Sequence, residues 1–349
     1  MASDTVQNFP EDRKRLKRNS FNYRIHSYFD LTLGKRVLSR KVIIAPKVIT
    51  FYNDSYEVFF DFIDEIFRSA KSGSVLIDIR GVREVKAGAL LVLYSNIEII
   101  QKNYKDKNKV LFTFCANQEV NISFGRFGFW SLTGQQKFRP EYSMASSLSI
   151  CTASYESTKK GDNSQLRKVI QYTQDAIADC GLEEENALAF SAITESVSNV
   201  WQHAYDEEFY KEDKDLAHWW IIVERIGDQF YIAVYDTGVG IPLTLENKKW
   251  FRVIYFDTDG QLYEYAADAH RIKMAVEYGR SRFKVDNRGK GLSEAKDFVM
   301  SNPEGIMIIF SGLGSYTYHT DQGKEELKKL PSLFPGTLIQ WNLKLESAS

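Results

Sequence analysis

The hydrophobic period of this chain changes several times, and the changes mark its elements. Val42-Ile43-Ile44 is a short apolar run that predicts a buried strand, and Tyr56 to Phe67 carries Val58, Phe59, Phe62, Ile63 and Ile66 at helical spacing. Val75-Leu-Ile-Asp78-Ile79 predicts a second strand and Ala87 to Ile100 a helix dense in Leu and Ile. Val110 to Cys115 predicts a third strand, followed by a helix-like stretch ending near Phe129. Strands alternating with helices predict a small α/β domain with a largely parallel sheet. From about Gly134 to Asp162 the chain turns to Ser, Thr, Gln and Lys, with Ser149 to Ser154 as an edge strand, and the shift marks a domain boundary. Beyond it, Gln165 to Ala178 predicts a helix broken at Cys180-Gly181. Glu183 opens a longer helix, on which Phe190, Ile193, Val197 and Val200 face a core. Lys214 to Ile226 and Gln229 to Tyr235 predict paired strands across Gly227-Asp228. Asp257-Thr-Asp-Gly260 predicts a turn and Ala266 to Tyr278 a helix. A further helix runs through Leu292, Ala295, Phe298 and Val299, and strands are predicted at Gly305 to Phe310 and Leu338 to Leu343. Gly312-Leu-Gly314 lacks a Gly-Lys-Ser/Thr continuation and a following helix, so it predicts a hairpin turn rather than a phosphate loop.

Four stretches carry chemistry on this frame. On the long helix, Glu195, Asn199 and His203 recur every four residues and share a polar stripe opposite the apolar one. A carboxylate one turn from an amide oxygen can orient or deprotonate an attacking group and ligate a hard cation. Next, Tyr235-Asp236-Thr-Gly238-Val-Gly240-Ile241-Pro242 follows a strand-like run. Its glycines allow close backbone approach, and Asp236 at the strand end can accept from a buried amino group. Third, Asn287-Arg-Gly289-Lys290-Gly291-Leu292 opens a helical pattern, where glycine amides at a helix N-terminus suit phosphate. Last, Pro335-Gly336-Thr337 leads into the final strand.

In this order the four stretches resemble the nucleotide-binding core of the GHKL ATPase superfamily, which includes gyrase, the heat-shock chaperone ATPases and histidine kinases. The resemblance covers roughly Asn163 to Leu345. It is closest to the anti-sigma-factor serine kinases, through Glu195, Asn199, His203-Ala-Tyr205 and Asp236-Thr-Gly-Val-Gly-Ile241. It implies a Bergerat-type α/β sandwich that binds ATP and Mg2+. Asp236 would take the adenine amino group, with a water held by Thr337. Gly238 and Gly240 would let the backbone close on base and ribose. Asn199 would ligate the metal, and Glu195 would polarise the nucleophile. Gly289 and Gly291 would present amides to phosphate. Ile241, Leu292 and Lys290 complete the expected nucleotide set, with His203 as a supporting residue. The charged, glycine-interrupted connection through Gly279, Arg280, Arg282 and Arg288 is where the resemblance implies an ATP lid.

Val75 to Leu93 is similar to the middle of a STAS domain: a strand, a loop, Gly88 at a helix start and an apolar helix. In the anti-sigma-factor antagonists, that loop carries a phosphorylated serine. Here it reads Glu84-Val85-Lys86-Ala87-Gly88, with no hydroxyl. The expected organisation is therefore a basic arm over 1–35, a STAS-like α/β domain over 36–135, a linker and edge segment over 136–162, and a GHKL ATPase domain over 163–349.

Composition narrows the class without naming the reaction. The chain has 349 residues, which favours two domains, and a formal net charge of -1, which argues against a nucleic-acid-coating protein. The basic run Arg13 to Arg18 reads as a solvated arm. Cys115, Cys151 and Cys180 are far apart and indicate neither a zinc site nor a disulfide framework. No membrane-spanning run or signal-like segment stands out, so a cytoplasmic protein is expected, with a protein partner or substrate and possible homodimerisation. The leading expectation is a protein serine/threonine kinase or slow ATPase. The alternative is a non-catalytic regulator in which ATP gates partner binding. A sensor histidine kinase fits poorly, because Gln165 to Ala178 contains no histidine.

Overall fold

In a computed structural model the residues described are 36–37, 39–138, 148–178, 186–205, 210, 214–226, 228–246, 267–278 and 291–344. The expectations for the basic arm, Cys180-Gly181, Glu183, the Asp257 to Gly260 turn, the Gly279 to Arg288 connection and Gly289-Lys290 lie outside them. The chain divides into two compact units, Met1–Ser147 and Leu148–Ser349, each mixed α/β.

The first unit runs β1 (Arg36–Val37), β2 (Arg40–Ile44), β3 (Val48–Ile49), α1 (Tyr56–Ser72), β4 (Val75–Asp78), β5 (Glu84–Val85), α2 (Ala87–Tyr104), β6 (Val110–Phe112), α3 (Gln118–Arg126) and α4 (Phe129–Leu132). Strands β2, β4 and β6 pair in parallel in the order β1-β2-β4-β6, with β1 antiparallel at the edge. Strand β4 is buried along its length, as a continuous apolar run in a parallel sheet should be. Helix α1 buries Phe59, Phe62, Ile63 and Ile66, whereas Val58 is exposed. In β2, Val42 and Ile43 are buried but Ile44 faces out, so this strand is not buried throughout. Asp78, buried at the end of β4, accepts from Arg80 Nε at 2.9 Å and from Thr113 Oγ1 at 3.1 Å, which ties the ends of two parallel strands together.

The second unit runs β7 (Cys151–Ser154), α5 (Tyr155–Lys159), α6 (Ser164–Ala178), α7 (Asn186–Asn199), a π turn (Val200–Ala204), β8 (His218–Ile226), β9 (Gln229–Asp236), α8 (Ile241–Glu246), α9 (Asp268–Tyr278), α10 (Gly291–Met300), β10 (Ile306–His319) and β11 (Lys324–Lys344). The strands form one antiparallel sheet in the order β10-β11-β9-β8-β7. The expected edge strand is β7, and it belongs to this sheet rather than to a linker.

Register explains where chemistry sits on this sheet. Residues paired directly across neighbouring strands share a face, and the face alternates along each strand. One row is Val223, Ile232, Trp341 and Met307, and the next is Cys151, Ile221, Val234, Ile339 and Ile309. These residues share a core with Val169 and Ile177 of α6, Ile193 and Val197 of α7, and Phe298 and Val299 of α10. Phe190, expected in that core, is 46% exposed, and Ala189 takes the buried position instead. The next row on the same face is Trp219, Asp236, Thr337 and Ser311, where the apolar ladder turns polar.

Gly312-Leu-Gly314 is not a hairpin turn. It lies inside the 14-residue strand β10, at two register shifts. Ser311 pairs with Thr337 but Gly312 with Phe334, so Pro335 and Gly336 are extra residues on β11. A bulge is where a strand tolerates proline, because no ladder donor is required there.

Candidate functional site

The site is the polar row and the loops that close on it. Asp236 ends β9 only 5% exposed, and its Oδ1 accepts from the Gly238 amide at 2.8 Å. Burial raises its pKa from 3.8 to about 7, against the lowering effect of the Gly238 and Thr337 amides. The result is a largely desolvated hydrogen-bonding carboxyl at the end of an otherwise apolar face.

Three glycines let backbone pack against it. A Cβ on Gly238 would stand 2.3 Å from the Ala204 carbonyl oxygen, and the next amide, Val239, donates to that oxygen at 2.9 Å. Gly240 has φ +84°, and a Cβ there would meet Ser311 Oγ at 2.9 Å. Gly336, φ +82°, crosses so close to β9 that a Cβ would lie 1.9 Å from the Asp236 carbonyl oxygen. The loop after Asp236 is thus pressed between the end of the π turn and the β11 bulge.

Ser311 joins these pieces. Its hydroxyl is buried, donates to the Gly336 carbonyl at 3.1 Å and lies 3.1 Å from Thr337 Oγ1. It also accepts from the Ile241 amide at 2.9 Å, satisfying one of the unpaired N–H groups at the start of α8. On the other side, the Tyr205 hydroxyl donates to the His218 carbonyl and accepts from the amides of His218 at 3.1 Å and Thr237 at 3.2 Å. Tyr205 is the first residue past the π turn, so its ring locks the end of that helix to β8 and to the residue after Asp236.

Helix α7 with its π turn delivers the predicted polar stripe. Glu195 and Asn199 stay one α-turn apart, and Asn199 Nδ2 is buried with no hydrogen-bond partner among the described residues. The turn from Val200 widens to i→i+5 bonding, so His203 departs from the regular stripe that a straight helix would give. Burial raises the Glu195 pKa, and the nearby Glu294 carboxylate raises it further. Glu294 stands in the first turn of α10, whose first residue is Gly291, and it accepts a hydrogen bond from Ser191 of α7.

The structure therefore brings Asp236, Gly238, Gly240, Ile241 and Thr337 into one corner. The helix bearing Glu195, Asn199 and His203 ends on that corner at Ala204. Leu292 is partly buried against the same core. Gly289 and Lys290 lie outside the described residues. Among the described residues no group of three or more His, Cys, Asp and Glu side chains could hold a metal ion, and no helix is long and apolar enough to cross a membrane.

Sequence reasoning missed Ser311, Tyr205 as an anchor, Glu294 and the α9 contact. Asp268 at the start of α9 accepts from the Leu313 amide at 2.7 Å, and a Cβ on Gly314 would stand 2.3 Å from the Ala269 nitrogen. The two glycines read as a turn are therefore the seat of a helix N-terminus. A signal for Ser311 existed: it follows Met307 and Ile309 at a period of two, on the buried face. No family model matches the chain, and no curated protein matches it.

Proposed function

We propose that the Leu148–Ser349 unit binds ATP with Mg2+ as a GHKL-type ATPase domain of Bergerat fold, and that it phosphorylates a partner protein on Ser/Thr or hydrolyses ATP slowly. The observation that carries this reading is Asp236: a desolvated acceptor at the end of the helix-facing sheet surface, in a corner built from glycines. A carboxyl buried with no cationic partner among the described residues is costly, and a site that reads an amino group by hydrogen bonding is one purpose that accounts for it.

The residues fit the ligand. Asp236 would accept the adenine amino group, with Thr337 beside it. Gly238 and Gly240 leave backbone where a side chain would stand. The buried Asn199 Nδ2 has no partner among the described residues, and a polar ligand would supply one. Mg2+ takes one or two protein oxygens and fills the rest of its shell from phosphate and water, so Asn199 suffices as its protein ligand. When bound, the metal supplies charge neutralisation on the phosphates. Glu195 takes the proton from the attacking hydroxyl as that oxygen bonds to phosphorus, and the bond to the leaving diphosphate breaks with its electron pair. Calorimetry with ATP and Mg2+ on the wild type and on Asp236→Asn tests the reading. Binding lost in the variant supports it, and no binding by the wild type overturns it.

The first unit is proposed to be STAS-like, supported by its parallel β2-β4-β6 sheet and by α2 starting next to the buried Gly88. The expected loop is strand β5 (Glu84–Val85) followed by Lys86 and the start of α2, and it offers no hydroxyl; this favours a second reading in which ATP state controls partner binding without phosphoryl transfer to that segment. Turnover of ATP by Glu195→Ala separates the two. A variant that binds ATP and turns over no less than wild type removes the catalytic reading.

A further inference from the structure

Glu195 does not stand alone on its helix face. Helix α10 packs along α7, and Ser191, one turn before Glu195, donates its hydroxyl to Glu294 across the two helices. The fourth residue of α10 is thereby hooked to α7 beside the candidate base. Of the elements against α7, α10 brings Glu294. The Glu294 charge adds to burial in raising the Glu195 pKa.

We propose that Glu294, held by Ser191, is a positioning residue for proton transfer at Glu195, and that it couples the base to the N-terminal turn of α10. The proposal rests on the ATP reading and adds a residue to it. Ser191 and Glu195 are neighbours one helical turn apart, so the Glu294 carboxylate hooked to Ser191 stands beside Glu195, where a like charge disfavours ionisation of Glu195. Glu294 is held in that place by the Ser191 hydroxyl and by its position in the first turn of α10. Glu195 is partly desolvated, and burial first and the Glu294 charge second both drive it towards the proton. A carboxylate with higher proton affinity accepts a proton from a hydroxyl nucleophile more readily, provided it remains ionised at the working pH. The same hook fixes α10 against α7. Whatever acts on the start of α10, including an anion at its N-terminal amides, is therefore felt at Glu195.

The test follows the Glu195 carboxyl by NMR in full-length protein labelled with carboxyl-13C glutamate, its signal assigned by loss in Glu195→Gln. Without nucleotide, Glu294→Gln and Ser191→Ala should move the Glu195 titration to lower pH, while Ser191→Thr, which keeps the hydroxyl, should restore it. An unmoved midpoint in Glu294→Gln, with the far-ultraviolet circular dichroism of the wild type, overturns the proposal. The acid limb of ATP turnover should shift in the same direction in Glu294→Gln. A limb that stays in place while the NMR midpoint moves would also overturn the catalytic part. Absence of ATP binding by the wild type would refute the ATP reading, and the nucleotide-free titration would still decide the coupling between the two carboxylates.

Discussion

Asp236→Asn should stabilise this protein at neutral pH while removing its proposed ligand contact. The Asp236 carboxyl titrates from 3.8 in the unfolded chain to about 7 in the fold, driven by burial. The native state therefore holds a proton that the unfolded state has released. Unfolding stability is fully present below about pH 4, declines as pH rises through the interval up to about 7, and is flat above it. At 1.36 kcal/mol per decade in proton affinity, the loss comes to about 4 kcal/mol. Asparagine cannot ionise and keeps an oxygen for the Gly238 amide, but its NH2 exchanges a buried acceptor for a donor, which costs about 1–3 kcal/mol if it is left unpaired. The variant should therefore be more stable than wild type by roughly 1–3 kcal/mol at about pH 8, and less stable by up to about 2 kcal/mol at about pH 4.5, where about 1 kcal/mol of the loss has already occurred. Urea unfolding of both proteins at the two pH values reads this reversal. The same difference at both pH values, in either direction, would refute the account of Asp236 as a buried acid that holds its proton.

Other consequences follow from the same contacts. If ATP donates to Asp236, its affinity should rise with pH up to about 7, by up to about tenfold per pH unit, and calorimetry in buffers of different ionisation heat should detect proton release. Tyr205→Phe leaves the amides of His218 and Thr237 without their buried acceptor and should cost about 1–3 kcal/mol in urea unfolding. Burial pushes the Glu325 carboxyl up, but hydrogen bonds from Lys273, Lys296 and Tyr316 outweigh it and hold it at about 2, so its contribution is present above about pH 4.5 and is lost as pH falls towards 2. Glu325→Gln strands the buried Lys296 ammonium and should destabilise by about 3–5 kcal/mol at neutral pH, read by thermal and urea unfolding. Gly336→Ala forces a Cβ into the Asp236 carbonyl at positive φ, and should cost more stability than Gly323→Ala, where φ is also positive but nothing lies within 4 Å.

Much of the site was legible because its signals are local. Phe230, Ile232 and Val234 alternate on one face, and the same alternation puts Asp236 on that face whatever the strand pairs with. Gly238 and Gly240 announce a tight loop after it, and Ile193, Val197 and Val200 announce the buried side of α7 from helical spacing alone. Phe190 is apolar but lies off the buried angle of α7, which Ala189 occupies. The remainder depended on partners distant in sequence. Ser311 meets Thr337 only through the β10-β11 register, and the bulge at Pro335-Gly336 sets which residues stand opposite. The π turn shifts His203, and the residue that ends it, Tyr205, is held by β8 and by the loop after Asp236. Glu294 reaches Ser191 across 103 residues because α10 lies on α7. Period and residue type dictate which face a side chain takes. Which other side chain waits on that face is decided by strand register and helix packing, whose free energy is shared among many contacts and is written in no single stretch of the chain.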